Sequence, residues 1–189
     1  EKHAGALLLD LGEESVSVLL YNKGILLDGL ELPYGLNRRA EFVADLLQND
    51  VETAQEVLKD YEPGADEIMD EVVEDAETQM LRGINKEILQ AFCLHLKPPA
   101  PNLILCGSGA TKQIIKSAKT IFNAKKARLG IVDHLVTDCP ADNPAYTGAL
   151  SLLRHALDRD QSQTGNVVQT KESGLFTGFL DKLGQLFEH

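Results

Sequence analysis

Asp10 sits at the mouth of an apolar run, Ala6-Leu7-Leu8-Leu9, that passes through Leu11 into the turn Gly12-Glu13-Glu14-Ser15. Far down the chain a second apolar run, Asn102-Leu103-Ile104-Leu105-Cys106, enters Gly107-Ser108-Gly109-Ala110-Thr111. Glycine at the end of a buried strand leaves backbone N–H groups bare where a phosphate or a ribose can approach. A carboxylate beside such a turn suits a hydrated divalent cation, which takes oxygen ligands and keeps several waters. Either segment alone reads equally well as a strand that merely turns. Together, with the alternating Val16, Val18 and Leu20 as the second strand of a hairpin, they point to the chemistry of an ATP site.

The elements that must position these residues follow in order. A hairpin carries Asp10-Leu11-Gly12-x-x-Ser15, a mostly helical insert comes next, and a strand then opens through Gly107-Ser108-Gly109-Ala110 into a helix. Ala145-Tyr146-Thr147-Gly148-Ala149-Leu150 reads as a further helix of small residues. This order resembles the second half of the actin-like ATPases, and within them the FtsA family of bacterial cell-division proteins. Glu1-Lys2-His3-Ala4-Gly5 is similar to the family's entry into its second large lobe. Pro33-Tyr34-Gly35-Leu36-Asn37, Asp45 and Ala54-Gln55-Glu56-Val57-Leu58-Lys59-Asp60-Tyr61 are similar to the segment leading into its nucleotide-facing helix. The PilM family of pilus-assembly proteins shares much of the pattern, and the likeness covers most of residues 1–157.

The resemblance implies an α/β fold of the actin-like ATPase type, a ribonuclease-H-like mixed sheet of five strands flanked by helices, with an inserted small α/β subdomain. Residues 1–32 and 99–157 would form the large subdomain and 33–98 the insert. Asp10, Gly12 and Ser15 would face phosphate and magnesium. Gly107, Ser108 and Gly109 would lie against the adenosine of ATP, and Glu56 and Lys59 would reach the ribose or base. Read from the residues alone, Glu56 and Lys59 lie one helical turn apart and are better explained as a solvated, salt-bridged face. The implied partners are the C-terminal tail of FtsZ, further copies of the chain in a filament, and the inner face of the cytoplasmic membrane.

Departures from the family pattern qualify this reading. Glu13 and Glu14 stand where small residues are usual, and their charges oppose a triphosphate if they point inward. Ser108 replaces a common glycine, and Ala76 stands where family members often carry an arginine on the insert's long helix. The first phosphate loop and the first lobe have no counterpart, so the site is half a cleft that should bind ATP and magnesium only together with the missing lobe, and the chain reads as part of a longer protein.

The 189 residues carry a net charge of -11 and no Trp. That balance argues against nucleic acid as a partner, since both the electrostatic footprint and the stacking aromatics are missing. Between residues 50 and 77 there are twelve acids against Lys59 alone. Ile68, Val72, Val73, Met80, Ile84, Ile88, Leu89 and Phe92 recur at spacings of three and four within one long amphipathic helix predicted from about Gly64 to Leu96. Its acidic first half is either a solvated face or a partner surface. Cys93, Cys106 and Cys139 lack metal-ligand spacing and read as free thiols, and the five histidines carry no assignable role. No apolar run is long enough to span a bilayer.

Past Leu157 the composition changes. Residues 158–173 are rich in Gln, Ser, Thr, Gly and Asn, the composition of a tether. In 174–189, Leu175, Phe176, Phe179, Leu180, Leu183, Leu186 and Phe187 fall on one stripe at helical period, with Thr177, Asp181, Lys182, Gln185 and Glu188 opposite. Such a segment suits a bilayer interface, or docking on the chain's own surface or another subunit. It resembles the membrane anchor of the FtsA family. Three functions stay open: a membrane-tethering filament scaffold tuned by ATP, a pilus or secretion adaptor of the PilM type, and a small-molecule kinase of the same fold. The tail favours the scaffold, for which any ATPase activity is at most weak.

Overall fold

In the computed structural model, residues 5–92, 102–131 and 143–154 are described. The tether, the amphipathic segment 174–189, Cys93 and Cys139 lie outside them. Three strands open the fold: β1 (Ala6–Leu11), β2 (Val16–Asn22) and β3 (Ile25–Leu32). Helices α1 (Leu36–Leu47), α2 (Val51–Lys59) and α3 (Glu67–Ala91) follow. Then come β4 (Asn102–Cys106), α4 (Ile114–Ile121), β5 (Ala127–Leu129), a 3-10 turn (Pro144–Tyr146) and helical residues 147–154.

The strands form one mixed sheet in the order β3-β2-β1-β4-β5. β1 pairs with β2 antiparallel and with β4 parallel, so Asp10 stands opposite Ser17 on one side and Cys106 on the other. β5 continues the parallel half beside β4. Leu7, Leu9 and Leu11 from β1, Val16, Val18 and Leu20 from β2, and Leu103 and Leu105 from β4 are buried because alternate side chains share one face.

That face packs on the second half of α3, whose Met80, Leu81, Ile84, Ile88 and Phe92 join the sheet core, together with Ile114, Ala118 and Phe122 of the α4 region. The first half of α3 instead packs Ala76 against Val43 and Ala44 of α1 and Ala54 of α2 in a smaller cluster. The insert therefore does not close on itself: from Met80 onward it shares the core of the sheet.

Two further differences from the sequence reading appear here. The insert was expected to be α/β, yet its described residues, 33–92, hold three helices and no strand. The reason is local: Gly35, Asp50 and Asp66 each start a helix, the latter two by accepting hydrogen bonds from Thr53 N–H and from Ile68 and Met69 N–H. Within α3, Ile68 and Leu89 are 73% and 54% exposed and so fall off the buried stripe, whereas Val73, Met80, Ile84, Ile88 and Phe92 are buried.

Candidate functional site

The carboxyl ends of β1 and β4 lie side by side, and the chain leaves them in opposite directions, to β2 on one side and through α4 to β5 on the other. Parallel sheets bind ligands in the crevice at such a reversal. Asp10 occupies it. One carboxylate oxygen faces Gly107, and the other lies where a Cβ on Gly148 would come within 3.7 Å. Burial alone holds the Asp10 carboxyl above the ordinary aspartate value. No described residue gives it a hydrogen bond or an ion pair. A half-buried acid without a partner is uncommon, because desolvation of the charged form is left uncompensated.

The turn after β4 is built onto β1. Gly107 has φ +88, donates its N–H to Pro144 O at 2.9 Å, and leaves no room for a Cβ, which would stand 2.5 Å from Leu11 O. Gly109 N–H donates to Leu11 O at 3.0 Å. Glycine in this turn is thus required by the closeness of the two strand ends, before any ligand is considered. Ser108 between them is exposed. Thr147 Oγ1 donates to Gly130 O at 2.6 Å and ties the helical residues 147–154 to the end of β5.

The loop after β1 is equally tied down. Gly12 N–H donates to Ser15 O at 3.0 Å, closing the turn. The carbonyls of Glu14, Gly12 and Glu13 accept from the N–H groups of Gly35, Leu36 and Asn37 at 3.2, 3.0 and 2.9 Å. These are N-terminal N–H groups of α1, which a helix cannot satisfy internally, so the hairpin loop caps α1 in place of a side chain. Glu13 and Glu14 expose their side chains, and Ser15 Oγ donates to Glu31 Oε1 at 2.7 Å.

Of the residues read from the sequence, Asp10, Gly12, Ser15, Gly107, Ser108 and Gly109 gather around the β1 and β4 ends. Glu56 and Lys59 lie on α2 and are exposed, and no ion pair joins them. α2 reaches the loop only in steps: Gln55 Nε2 donates to Asn37 Oδ1 at 3.3 Å, and Asn37 in turn donates to Glu13. Ala76 is fully buried between α3 and α1, so the position aligned with the family's arginine is not a surface position here. Beside it Arg39 Nη1 bonds Glu77 Oε1 at 3.1 Å, and burial pushes the Glu77 carboxyl up while Arg39 opposes that. Gly35, Gly130 and Thr147 were not singled out as site residues. Gly35 was visible as a glycine ahead of an amphipathic helix, whereas nothing local marks Gly130 or Thr147.

Two other features lie apart from this crevice. A groove of about 600 Å³ runs between α3 and α4, lined by Arg82, Asn85, Lys86, Leu89, Gln90, Thr120 and Ile121. Cys106 at the end of β4 is buried, and its thiol is pushed up to about 12 by burial and then by the charge of Asp10. Among the described residues no group of three His, Cys, Asp or Glu side chains could hold a metal ion, and no helix is long and apolar enough to cross a membrane.

No protein-family model matches the sequence, and no curated protein matches it. Solved structures do. MreB 5 of Spiroplasma citri, solved with AMPPNP, is similar over 86% of this chain and 56% of its own, with 12% identity and a TM-score of 0.58. A chain of the PilM-PilN type IV pilus biogenesis complex is similar over 83% of this chain and 47% of its own, with 20% identity and a TM-score of 0.57. The ethanolamine utilization protein EutJ from Carboxydothermus hydrogenoformans is similar over 76% and 47%, with 14% identity and a TM-score of 0.52. The chain spans about half the length of each of these structures. At such identities the likeness is one of fold, and with the sheet order it establishes that the chain has the actin-like ATPase fold.

Proposed function

We propose that this chain forms one wall of an ATP cleft in a filament-forming, actin-like scaffold protein that tethers the FtsZ ring to the inner face of the cytoplasmic membrane. The observation that carries the nucleotide part is Asp10, a half-buried carboxylate at the reversal between β1 and β4 that has no partner among the described residues. Its chemistry fits magnesium: a single protein carboxylate, with water and phosphate oxygens completing the shell, is the usual way that this ion is held. Asp10 would hold the hydrated ion, Gly12 and Ser15 would border the phosphates, and Gly107, Ser108 and Gly109 would border the adenosine. Bound magnesium would neutralise phosphate charge. Glu56 and Lys59, exposed on α2, would reach the ribose or base.

The solved relatives support self-association in general terms, since one is a ParM mutant made non-polymerisable and another is an Alp12 filament. The membrane part rests on residues 174–189 and the apolar stripe Leu175, Phe176, Phe179, Leu180, Leu183, Leu186 and Phe187. The polar face of that stripe carries Asp181 and Glu188 against Lys182. Anionic lipid therefore adds no attraction, and one copy binds weakly through apolar burial alone, at roughly 25 cal/mol per Å². Many copies on one filament would bind firmly through effective concentration.

A second reading is favoured by one observation. Ala76 is buried, so no surface arginine stands at the position where the family often carries one, and the exposed arginine of α3 is Arg82, further along the helix. That favours a pilus or secretion adaptor of the PilM type, which would present its peptide groove elsewhere. Titration with a fluorescent ATP analogue and magnesium, for the natural chain and for Asp10→Asn, tests the cleft: equal affinity of the two overturns it. Flotation with lipid vesicles, with and without residues 174–189, tests the tether, and equal flotation of both forms overturns it. Pull-down with the FtsZ tail peptide separates the scaffold from the adaptor.

A further inference from the structure

Positive charge is gathered in one stretch of this acidic chain. From Arg82 to Gly130 the sequence holds nine lysines and arginines, half of its 18, against Glu87 as the single acid. Five of these cations surround α4. Lys112 precedes the helix, Lys116 and Lys119 lie on it one turn apart and away from buried Ile114 and Ala118, and Lys125 and Lys126 follow it. All five are exposed, and none has an ion pair or a side-chain hydrogen bond among the described residues. Asn85 Nδ2 donates to Ile121 O at 3.1 Å and holds the end of α4 beside α3, where exposed Arg82 and Lys86 line the shared groove. Lysine often guards an edge strand, which accounts for Lys126 beside β5. The lysines of α4 lie off that edge.

We propose that this lysine face binds the anionic headgroups of a lipid bilayer, as a second membrane contact beside residues 174–189. It deepens the membrane part of the reading above and rests on it, but through residues of its own. A protein partner would find no anchor here, because no large exposed apolar side chain lies between 112 and 128 and lysine is depleted at the centre of protein interfaces. Nucleic acid would find nothing to stack on, since Phe122, the aromatic of this stretch, is buried. A bilayer needs neither: each lysine near an anionic leaflet gains roughly fivefold in partitioning by charge alone. The five are all lysine, a flexible and hydrated point charge, which suits headgroups that diffuse and offer no fixed fork for arginine. The acids of α3 do not cancel them. Glu74 and Asp75 stand about 15 Å along the helix from Asn85, beyond a screening length of about 8 Å. An apolar contact alone anchors marginally, and a polybasic patch beside it makes anchoring stable. Residues 174–189 offer apolar burial without attraction to anionic lipid, and the lysine face supplies that attraction. Residues 158–173 span roughly 50 Å at full extension, enough for both contacts to meet one surface.

The test floats the full chain, without nucleotide, with vesicles of phosphatidylcholine alone or with one phosphatidylglycerol in three lipids. The natural chain should bind the anionic vesicles at least tenfold more tightly, and raising the salt from about 0.05 to about 0.5 M should erase that preference. Lys116→Gln with Lys119→Gln, both at exposed positions, should weaken binding to anionic vesicles at least tenfold and leave binding to neutral vesicles unchanged. Lys23→Asp makes the same two-unit change of net charge at the far edge of the sheet, where aspartate tolerates the positive φ, and should keep the preference. Deleting 174–189 should weaken binding to both kinds of vesicle and keep the preference. A deletion without effect sinks the tail contact, while a preference lost only with Lys116 and Lys119 still upholds the lysine face. Three results would each overturn the proposal: equal binding to the two kinds of vesicle, a preference that survives loss of both lysines, or an equal loss in Lys23→Asp. A chain that ignores both vesicles but self-associates at low salt through Lys116 and Lys119 assigns the face to the acids of a second copy, and overturns it too.

Discussion

The N–H of Gly35 donates to the carbonyl of Glu14 at 3.2 Å, and a Cβ on Gly35 would stand 2.5 Å from the Glu14 carbonyl carbon and closer still to the Glu13 carbonyl. The hairpin loop and the first turn of α1 are therefore one packed unit. Gly35→Ala must push that unit apart, since the obstructing atoms are backbone. Overpacking of this kind costs about 2 to 3 kcal/mol, and urea denaturation should show a loss in that range. It should also loosen the loop after β1, read as faster hydrogen exchange at Leu36 and Asn37.

Asp10 gives a prediction with a definite sign. Its carboxyl is held above the ordinary value of 3.8 by burial, so the folded chain binds the proton more tightly than the unfolded chain does. The stabilising contribution is therefore complete below the ordinary value and is lost as pH rises through the folded one. Asp10→Asn should be more stable than the natural chain at pH 7, with the advantage gone at pH 3, by urea midpoints at the two pH values. Stability gained at the expense of ligand binding is the pattern expected of a functional acid.

The pair of Arg39 and Glu77 should behave in the opposite way. Arg39→Met leaves a buried carboxylate without its partner, a change that costs about 3 kcal/mol at neutral pH. Burial already pushes the Glu77 carboxyl up, and removing the cation pushes it further, so the loss should shrink as pH falls and the acid takes up a proton. Arg39→Met with Glu77→Leu should recover most of the stability at pH 7. Denaturation of the natural chain and both variants at pH 7 and pH 5 checks both statements.

Ala76→Arg tests whether the insert could ever present the family's arginine at this position. The site is 0% exposed and walled by Val43, Ala44 and Ala54. An unpaired charge there should cost about 3 kcal/mol or more, and the variant should gain no affinity for the FtsZ tail peptide.

Much of the fold was legible because the apolar runs are unambiguous. Leu7, Leu9 and Leu11, then Val16, Val18 and Leu20, mark a buried hairpin, and the run into Gly107 marks a further strand that opens into a helix. The long helix was expected from about Gly64 to Leu96, and α3 runs Glu67–Ala91, with Asp66 as its cap. What sequence could not convey was how each glycine is used. Gly107 and Gly109 looked bare for a ligand, but the space that a Cβ would fill is taken by Asp10, Leu11 and Leu36. Burial of Ala76 depends on how α1 lies across α3, a long-range relationship that no local pattern records. The exposure of Ile25, Leu26 and Leu27 on β3 and the shift of register against Leu20 and Tyr21 follow from pairing with β2 and are not recorded in composition.

β1 and β4 are neighbours in the sheet, yet α1, α2 and α3 lie between them in the chain. The hairpins β1-β2 and β2-β3 close over short loops, whereas the Asp10 to Cys106 pairing must wait for a long one, and such distant contacts form slowly. The order of assembly in time follows from this. As the chain is made, the hairpin and its cap on α1 come first. The crevice that holds Asp10 exists only after β4 has slid into place, so early folding proceeds with that carboxylate still in water.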